Sequence, residues 1–353
     1  MIALKTEFKF AEMAKKALIG NNLLAKDYAL SKDEKNIYFP VMKKSALPFP
    51  HSYCQKAFEH LKRDRGLKEE LLERKIISEK EAKDFVSSFD TCGDIAILEI
   101  PESLEKKEGK IAQTLLELNK HIRTVAKKAS ATEGAYRIRK LKIIGGKKRL
   151  STLYRENGCS FKIDLQKTFF SSRLSFERQR VASLAKEGEN VFALFAGAGF
   201  YPIVMAKEAI KKKRKTKTRF IAVELNPFAV RRMRENVLLN KMQDMIEVIE
   251  GDVNKIMLKK RFRRFADRVV MPLPHSAYDF LDAALFSAKK NCIIHFYFIP
   301  ESEEKEGAVK KAQERIRAAC ERNNRKFKTV FSRVVKSYAP HVDQVVVDFK
   351  LVN

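Results

Sequence analysis

Two glycines one residue apart, Gly197 and Gly199 in the segment FAGAGF from Phe195 to Phe200, follow the apolar run NVFALFA. A loop without Cβ atoms after a strand lets a ligand come close to the backbone. The spacing lacks the third glycine that a dinucleotide pyrophosphate calls for. Further on, VELNP puts Glu224 at the end of a second apolar run. There its carboxylate either accepts both ribose hydroxyls of an adenosine or offsets the positive end of the next helix. Asp252, closing the run IEVIEGD, either receives an adenine amino group or caps the helix starting at Val253. In MPLPHSAY, Pro272 and Pro274 fix φ and remove two backbone donors, giving either a rigid, donor-poor wall beside a substrate or a plain strand-ending turn. The glycine loop and the acidic strand end specify an adenosyl ligand, for which Phe195, Gly197, Gly199, Glu224 and Asp252 are the candidate residues.

These residues need a frame that brings strand ends together. From about residue 185 the chain alternates apolar runs with helical patterns, from NVFALFA through RFIAVEL, IEVIEGD and DRVVMPLP to CIIHFYFIP. That alternation predicts an α/β fold with a doubly wound parallel sheet. VFSRVVKSYAP and DQVVVDFKLV then follow as consecutive strands around Pro340, so the sheet ends in an antiparallel hairpin, a pattern resembling the class I, Rossmann-like methyltransferases. Two smaller α+β modules precede it. Residues 1–45 read as strand, helix, strand; 46–80 as a helical connector; 81–165 as an RNA-binding α/β module; and 166–353 as the catalytic domain. In the third segment RIRKLKIIGGKKRL places Arg137 and Arg139 on one strand face with Leu141, either as a phosphate-binding pair or as solvated charge.

Charge narrows the partner. Lys and Arg number 72 against 44 Asp and Glu, a formal net charge of +28 that concentrates polyanions around the chain. Nucleic acid is the expected partner. The basic runs 211–219 and 259–264 either extend that footprint or are solvated loops. The five cysteines (Cys54, Cys92, Cys159, Cys292, Cys320) form no CxxC pair and are odd in number. No zinc site and no disulfide framework is expected, and the chain reads as reduced and cytoplasmic. No stretch is apolar for long enough to span a membrane, and the first residues lack the pattern of a secretory leader.

The run TLYRENGCSFKIDLQKTFFSSRLSFERQRV, followed in order by FAGAGFYPI, VELNPFAV, MPLP, HFYFIP and VKSYAP, resembles the archaeal and eukaryotic tRNA guanosine-37 N1-methyltransferases and their wyosine-pathway relatives. The resemblance implies S-adenosyl-L-methionine as cofactor and tRNA as substrate. It also implies a monomer that grips the anticodon stem-loop and, through the N-terminal module, the elbow. It implies that Glu177 in RLSFERQR is a general base and that Arg137 contacts the guanine, with Arg139 as the alternative. Arg173 and Arg178 flank the base in sequence and are read as RNA contacts, with support of Glu177 or a plain surface place as the other readings. Phe169 stands where the N1-methyltransferases usually carry tyrosine, and Pro272 where they carry asparagine. That pair resembles the archaeal branch that methylates carbon 7 of 4-demethylwyosine to isowyosine, with N1 of guanosine-37 as a second target. Ala193 replaces a usual acidic residue on the first strand. Guanosine N1 methylation alone, or a tRNA-binding protein with a decayed cofactor site, are the competing readings.

Overall fold

The computed structural model describes residues 1–60, 66–133, 138–211, 217–300, 307–339 and 342–352. The chain divides into two compact units, Met1–Glu70 and Leu71–Asn353. In the first, β1 (Ile2–Glu7), α1 (Ala11–Gly20), β2 (Ser31–Lys32), β3 (Asn36–Pro40) and β4 (Ser52–Gln55) form a four-stranded antiparallel sheet, ordered β2-β3-β1-β4 and carrying one helix. Ala14 and Leu18, one helical turn apart, pack on Leu4 and Phe39. β4 falls in the stretch expected to be a helical connector: its residues are mostly exposed, and pairing with β1 rather than burial holds it as strand.

The larger unit continues from α2 (Leu67–Glu73), which spans the boundary, and α3 (Glu79–Asp84), started by a Ser78–Glu81 capping box. β5 (Asp90–Cys92), β6 (Ile95–Leu98), α4 (Glu108–Leu118), β7 (Thr124–Glu133) and β8 (Ile138–Gly146) make a second four-stranded sheet in chain order. β6 and β7 are parallel, joined across α4, whose buried stripe is Ile111, Ala112 and Leu115. β9 (Ser151–Glu156) and β10 (Cys159–Asp164) form a hairpin turning on Asn157 and Gly158, both at positive φ (49° and 72°), as a two-residue hairpin turn of this hand requires.

The main sheet has seven strands. After α5 (Ser175–Leu184) come β11 (Asn190–Leu194), α6 (Phe200–Lys211), β12 (Arg219–Glu224), α7 (Pro227–Leu239), β13 (Ile246–Glu250), α8 (Val253–Met257), β14 (Ala266–Met271), α9 (Leu281–Ser287), β15 (Ala288–Phe298), α10 (Ala308–Arg322), β16 (Phe327–Ala339) and β17 (Val342–Leu351). Their order is β13-β12-β11-β14-β15-β17-β16, with the first five parallel and β17 antiparallel to both neighbours. Residues Val191 to Leu194 of β11 are all buried, as expected for a strand covered by helices on both faces. Strand order reverses at β11, whose neighbours are β12 on one side and β14 on the other. A crevice beyond the carboxyl ends at such a reversal is where ligands of open α/β sheets bind.

Candidate functional site

The loop after β11 is unusual in its backbone. Phe195 adopts φ +52, and Gly197 and Gly199 adopt φ +56 and +92. A bulky side chain in the left-handed region is rare, so the surroundings must hold it there. Phe195 packs edge-on against Phe280 at 4.8 Å, and the Ala196 amide donates to the Val223 carbonyl at 3.1 Å. At Gly199 an added Cβ would lie 3.0 Å from both Ile203 and Met233, whereas at Gly197 it would meet nothing within 4 Å. Gly197 therefore faces open space at the end of β11.

Glu224 closes this loop. Its two carboxylate oxygens accept from the Gly197 amide at 2.8 Å and the Asn226 amide at 2.8 Å. Burial raises its pKa, opposed by the amides of Asn226, Gly197 and Leu225. The acceptor capacity that these amides leave on the carboxylate is open to a ribose hydroxyl. Asn226 caps α7 and also donates from its side chain to the Lys167 carbonyl at 2.7 Å, so the 165–173 segment is tied to the Glu224 strand end. Asp252 caps α8, its carboxylate accepting from the Lys255 amide at 3.1 Å. A positive-φ glycine loop over open space, with a carboxylate held by backbone amides, fits an adenosyl cofactor. Pro272 and Pro274 follow β14 at the same end of the sheet, partly buried, and the Pro274 carbonyl accepts from Ile299. Ala193 is buried mid-strand, paired with Ala222 and Val270.

The segment carrying Phe169 borders a cleft of about 300 Å³. Its wall includes Ile97 and Leu141 from the second sheet, Leu165, Phe169 and Phe170 from the loop, and Arg173. Phe170 packs at a tilt against Phe200, the residue after Gly199, with ring centres 5.6 Å apart, so the cleft adjoins the glycine loop. Phe169 is 46% exposed, and Arg173 pairs with Asp90 at 2.9 Å while remaining largely in solvent.

Glu177 and Arg178 sit on the buried face of α5. Arg178, expected at the RNA surface, is 3% exposed: its guanidinium forms two 2.5 Å hydrogen bonds with buried Glu156 and lies over the Phe200 ring. A phosphate cannot reach it in this packing, so its place is structural. With Asn157 donating to the Ser175 carbonyl at 3.2 Å, it locks the β9–β10 turn to the start of α5.

Glu177 is 1% exposed and densely bonded. It accepts from Arg180 (shortest 2.7 Å), from the Tyr297 hydroxyl at 2.6 Å and from Arg333 at 2.6 Å. Arg180 continues to Asp348 at 2.7 Å, Asp348 to His295 at 2.7 Å, His295 to Arg268 at 2.7 Å and Arg268 to Glu189 at 2.8 Å. Arg268 can only donate, so His295 accepts at Nε2 and carries its proton on Nδ1 toward Asp348. Burial lowers the His295 pKa, which keeps this imidazole neutral. Burial works to raise Asp348, but the contacts with His295 and Arg180 overcome it and bring its pKa down to about 2.

Sequence reading did not anticipate Asn226, Glu156, Tyr297, Arg333, Asp348 or His295. Only the Glu177–Arg180 pair had a local signal, its i,i+3 spacing on a helix. Arg137 lies outside the described residues, and Arg139 is described by its backbone alone, paired with Thr132 across β7 and β8. Among the described residues no cluster of side chains could hold a metal ion, and no helix is long and apolar enough to cross a membrane.

Comparison with known proteins gives three family matches. Residues 152–328 match the TRM5/TYW2 methyltransferase domain, 68–149 the TYW2 N-terminal domain, and 3–46 the tRNA methyltransferase 5 N-terminal domain. The chain is 32% identical over 99% of both lengths to the tRNA (guanine(37)-N(1))-methyltransferase Trm5b of Pyrococcus abyssi. The crystal structure of that enzyme superposes with a TM-score of 0.74 at 31% identity, covering 100% of each chain. The tRNA 4-demethylwyosine(37)-methyltransferase Taw21 of Saccharolobus solfataricus is 30% identical over 77% of this chain and 96% of its own.

Proposed function

The chain belongs to the TRM5/TYW2 methyltransferase family and is an S-adenosylmethionine-dependent tRNA methyltransferase; from that premise we propose that it methylates the purine at position 37, at C7 of 4-demethylwyosine and, as a second target, N1 of guanosine. The observation that carries this reading is the cleft beside the glycine loop. Its wall sets the apolar side chains of Ile97, Leu141, Leu165, Phe169 and Phe170 among polar and charged ones, Phe169 brings no hydroxyl to it, and Pro272 brings no side-chain amide to the end of β14. Against those five apolar side chains a tricyclic base has more ring surface to bury than guanine has.

In this reading Phe195, Gly197, Gly199, Glu224 and Asp252 hold the cofactor, with Glu224 on the ribose and Asp252 at the adenine. When bound, the cofactor supplies an electrophilic methyl on a sulfonium. Phe169, Pro272 and Pro274 line the place where the base meets it. Glu177 would accept the proton that the ring carbon, or N1, gives up on being methylated. Arg137 or Arg139 offsets charge developing on the base, and Arg173 takes backbone phosphate. For Glu177 to accept a proton it must give up a bond, and Arg333, the most exposed of its donors, is the one that can move. Residues 1–45 read as the elbow-binding module, 46–80 as connector, 81–165 as the RNA-binding module and 166–353 as the catalytic domain. The enzyme is read as a cytoplasmic monomer, its five cysteines unpaired.

The test is nucleoside mass spectrometry after incubating enzyme and cofactor with two tRNAs, carrying guanosine or 4-demethylwyosine at position 37. A methyl gain on the 4-demethylwyosine tRNA is expected. A gain on guanosine alone returns the enzyme to plain N1 chemistry, and no gain on either refutes the position-37 assignment.

A further inference from the structure

Two aromatic rings stand in solvent beside the Glu177 cluster. Phe176 is 69% exposed and Phe331 40% exposed. Each is paired with a guanidinium: Arg333 lies 5.0 Å from the centre of the Phe176 ring, and Arg180 lies 4.6 Å from that of Phe331. Phe331 and Arg333, two residues apart, share one face of β16. The same two arginines converge on Glu177, so the ring–cation pairs flank that carboxylate. β16 is the outer strand of the main sheet, and Val330 and Val334 beside these residues are also exposed.

Exposed rings alternating with arginines suit an unstacked nucleobase, whose flat face matches phenylalanine and whose phosphate matches a guanidinium. A second copy of this chain would bring the same +28 charge and be repelled. We propose that Phe176 and Phe331, with Arg333 taking the phosphate, form a stacking platform for an unpaired nucleotide of the tRNA other than the one that is methylated. The proposal rests on tRNA being the substrate and not on which base is modified. Because Arg333 also covers Glu177, a nucleotide seated here draws on the group that shields the carboxylate, and docking of the RNA loop is coupled to uncovering it.

The experiment uses the full chain with S-adenosylmethionine and tRNAs carrying 2-aminopurine at single loop positions on either side of position 37. With the unaltered protein, quenching at one flanking position is expected on binding. Phe176→Ala and Phe331→Ala should each abolish that quenching and weaken tRNA binding by roughly tenfold. Phe176→Tyr, which keeps the ring, should restore both, and cofactor affinity should be unchanged throughout as the check on folding. Alanine variants that bind and quench like the unaltered protein overturn the platform. So does sedimentation showing a dimer that these substitutions split while tRNA affinity stays the same. A wrong assignment of the methylated base shows in the nucleoside spectra and leaves these readouts untouched.

Discussion

Gly197 and Gly199 show how neighbouring residues of one type serve different ends. Both adopt positive φ, a conformation that costs about 1 kcal/mol once a Cβ is present. Gly199 is also enclosed by Ile203 and Met233, while Gly197 looks onto open space. Gly199→Ala is therefore expected to destabilise the fold by about 2–3 kcal/mol, since crowding adds to strain. Gly197→Ala is expected to cost about 1 kcal/mol yet to weaken cofactor binding by tenfold or more, its methyl projecting into the crevice. Thermal unfolding and calorimetric titration with S-adenosylmethionine separate the two effects. A Gly197→Ala variant with unchanged cofactor affinity would show that the crevice is not where the cofactor lies. The glycine spacing made the loop legible in sequence, but which glycine is required by packing and which by an approach path was not, because Met233 comes from α7.

At the scale of elements, the hairpin β16–β17 does more than close the sheet. β17 brings Asp348 to His295 of β15 and Arg180 of α5, completing a buried chain of charges that runs from Glu189 to Glu177. Asp348→Asn removes one of the two carboxylates on buried Arg180, leaving Glu177, and a loss of about 3 kcal/mol is expected. The pH dependence follows from the two shifted groups. Asp348 has its folded pKa lowered from 3.8 to about 2, so its contribution is present above pH 4 and lost as pH falls through about 2. His295 is also lowered from 6.5, so below that pH the unfolded chain takes up a proton the folded one refuses, and stability again falls on acidification. Denaturant titrations from pH 7 to pH 2 should show the unaltered protein losing stability progressively and Asp348→Asn losing less between pH 4 and pH 2. Parallel curves for the two proteins would refute this role. Beyond the Glu177–Arg180 spacing none of it was legible in sequence, because Arg180 and Asp348 are 168 residues apart and such a pairing leaves no local trace. Arg178 misled for the same reason, because burial of a guanidinium shows only once its partner Glu156 is placed.

For the molecule as a whole, the alternation of apolar runs with helical patterns was enough to foresee the doubly wound sheet and its terminal hairpin, since period and run length follow directly from burial on two faces. Insertion of β17 between β15 and β16 was not foreseeable, because pairing partners distant in sequence leave no local trace. Net charge is the other property readable without coordinates. With +28 on the chain, tRNA affinity is expected to fall at least tenfold between about 50 and 200 mM salt, as counterions compete for phosphate. With the proposed cofactor site built from backbone amides and one carboxylate, cofactor affinity should change far less. Filter binding across a salt series measures the first and calorimetry the second; a flat tRNA curve would mean that surface charge plays little part in recognition.

The inserted strand has one more consequence. β16 precedes β17 in the chain yet lies outside it in the sheet, so it leaves the ribosome before its partner exists. Until β17 arrives, thirteen residues of β-forming sequence including Val330, Phe331 and Val334 wait as an open edge. Lys328, Arg333 and Lys336 punctuate that segment and act as gatekeepers, their like charges discouraging the edges of nascent chains from pairing with one another.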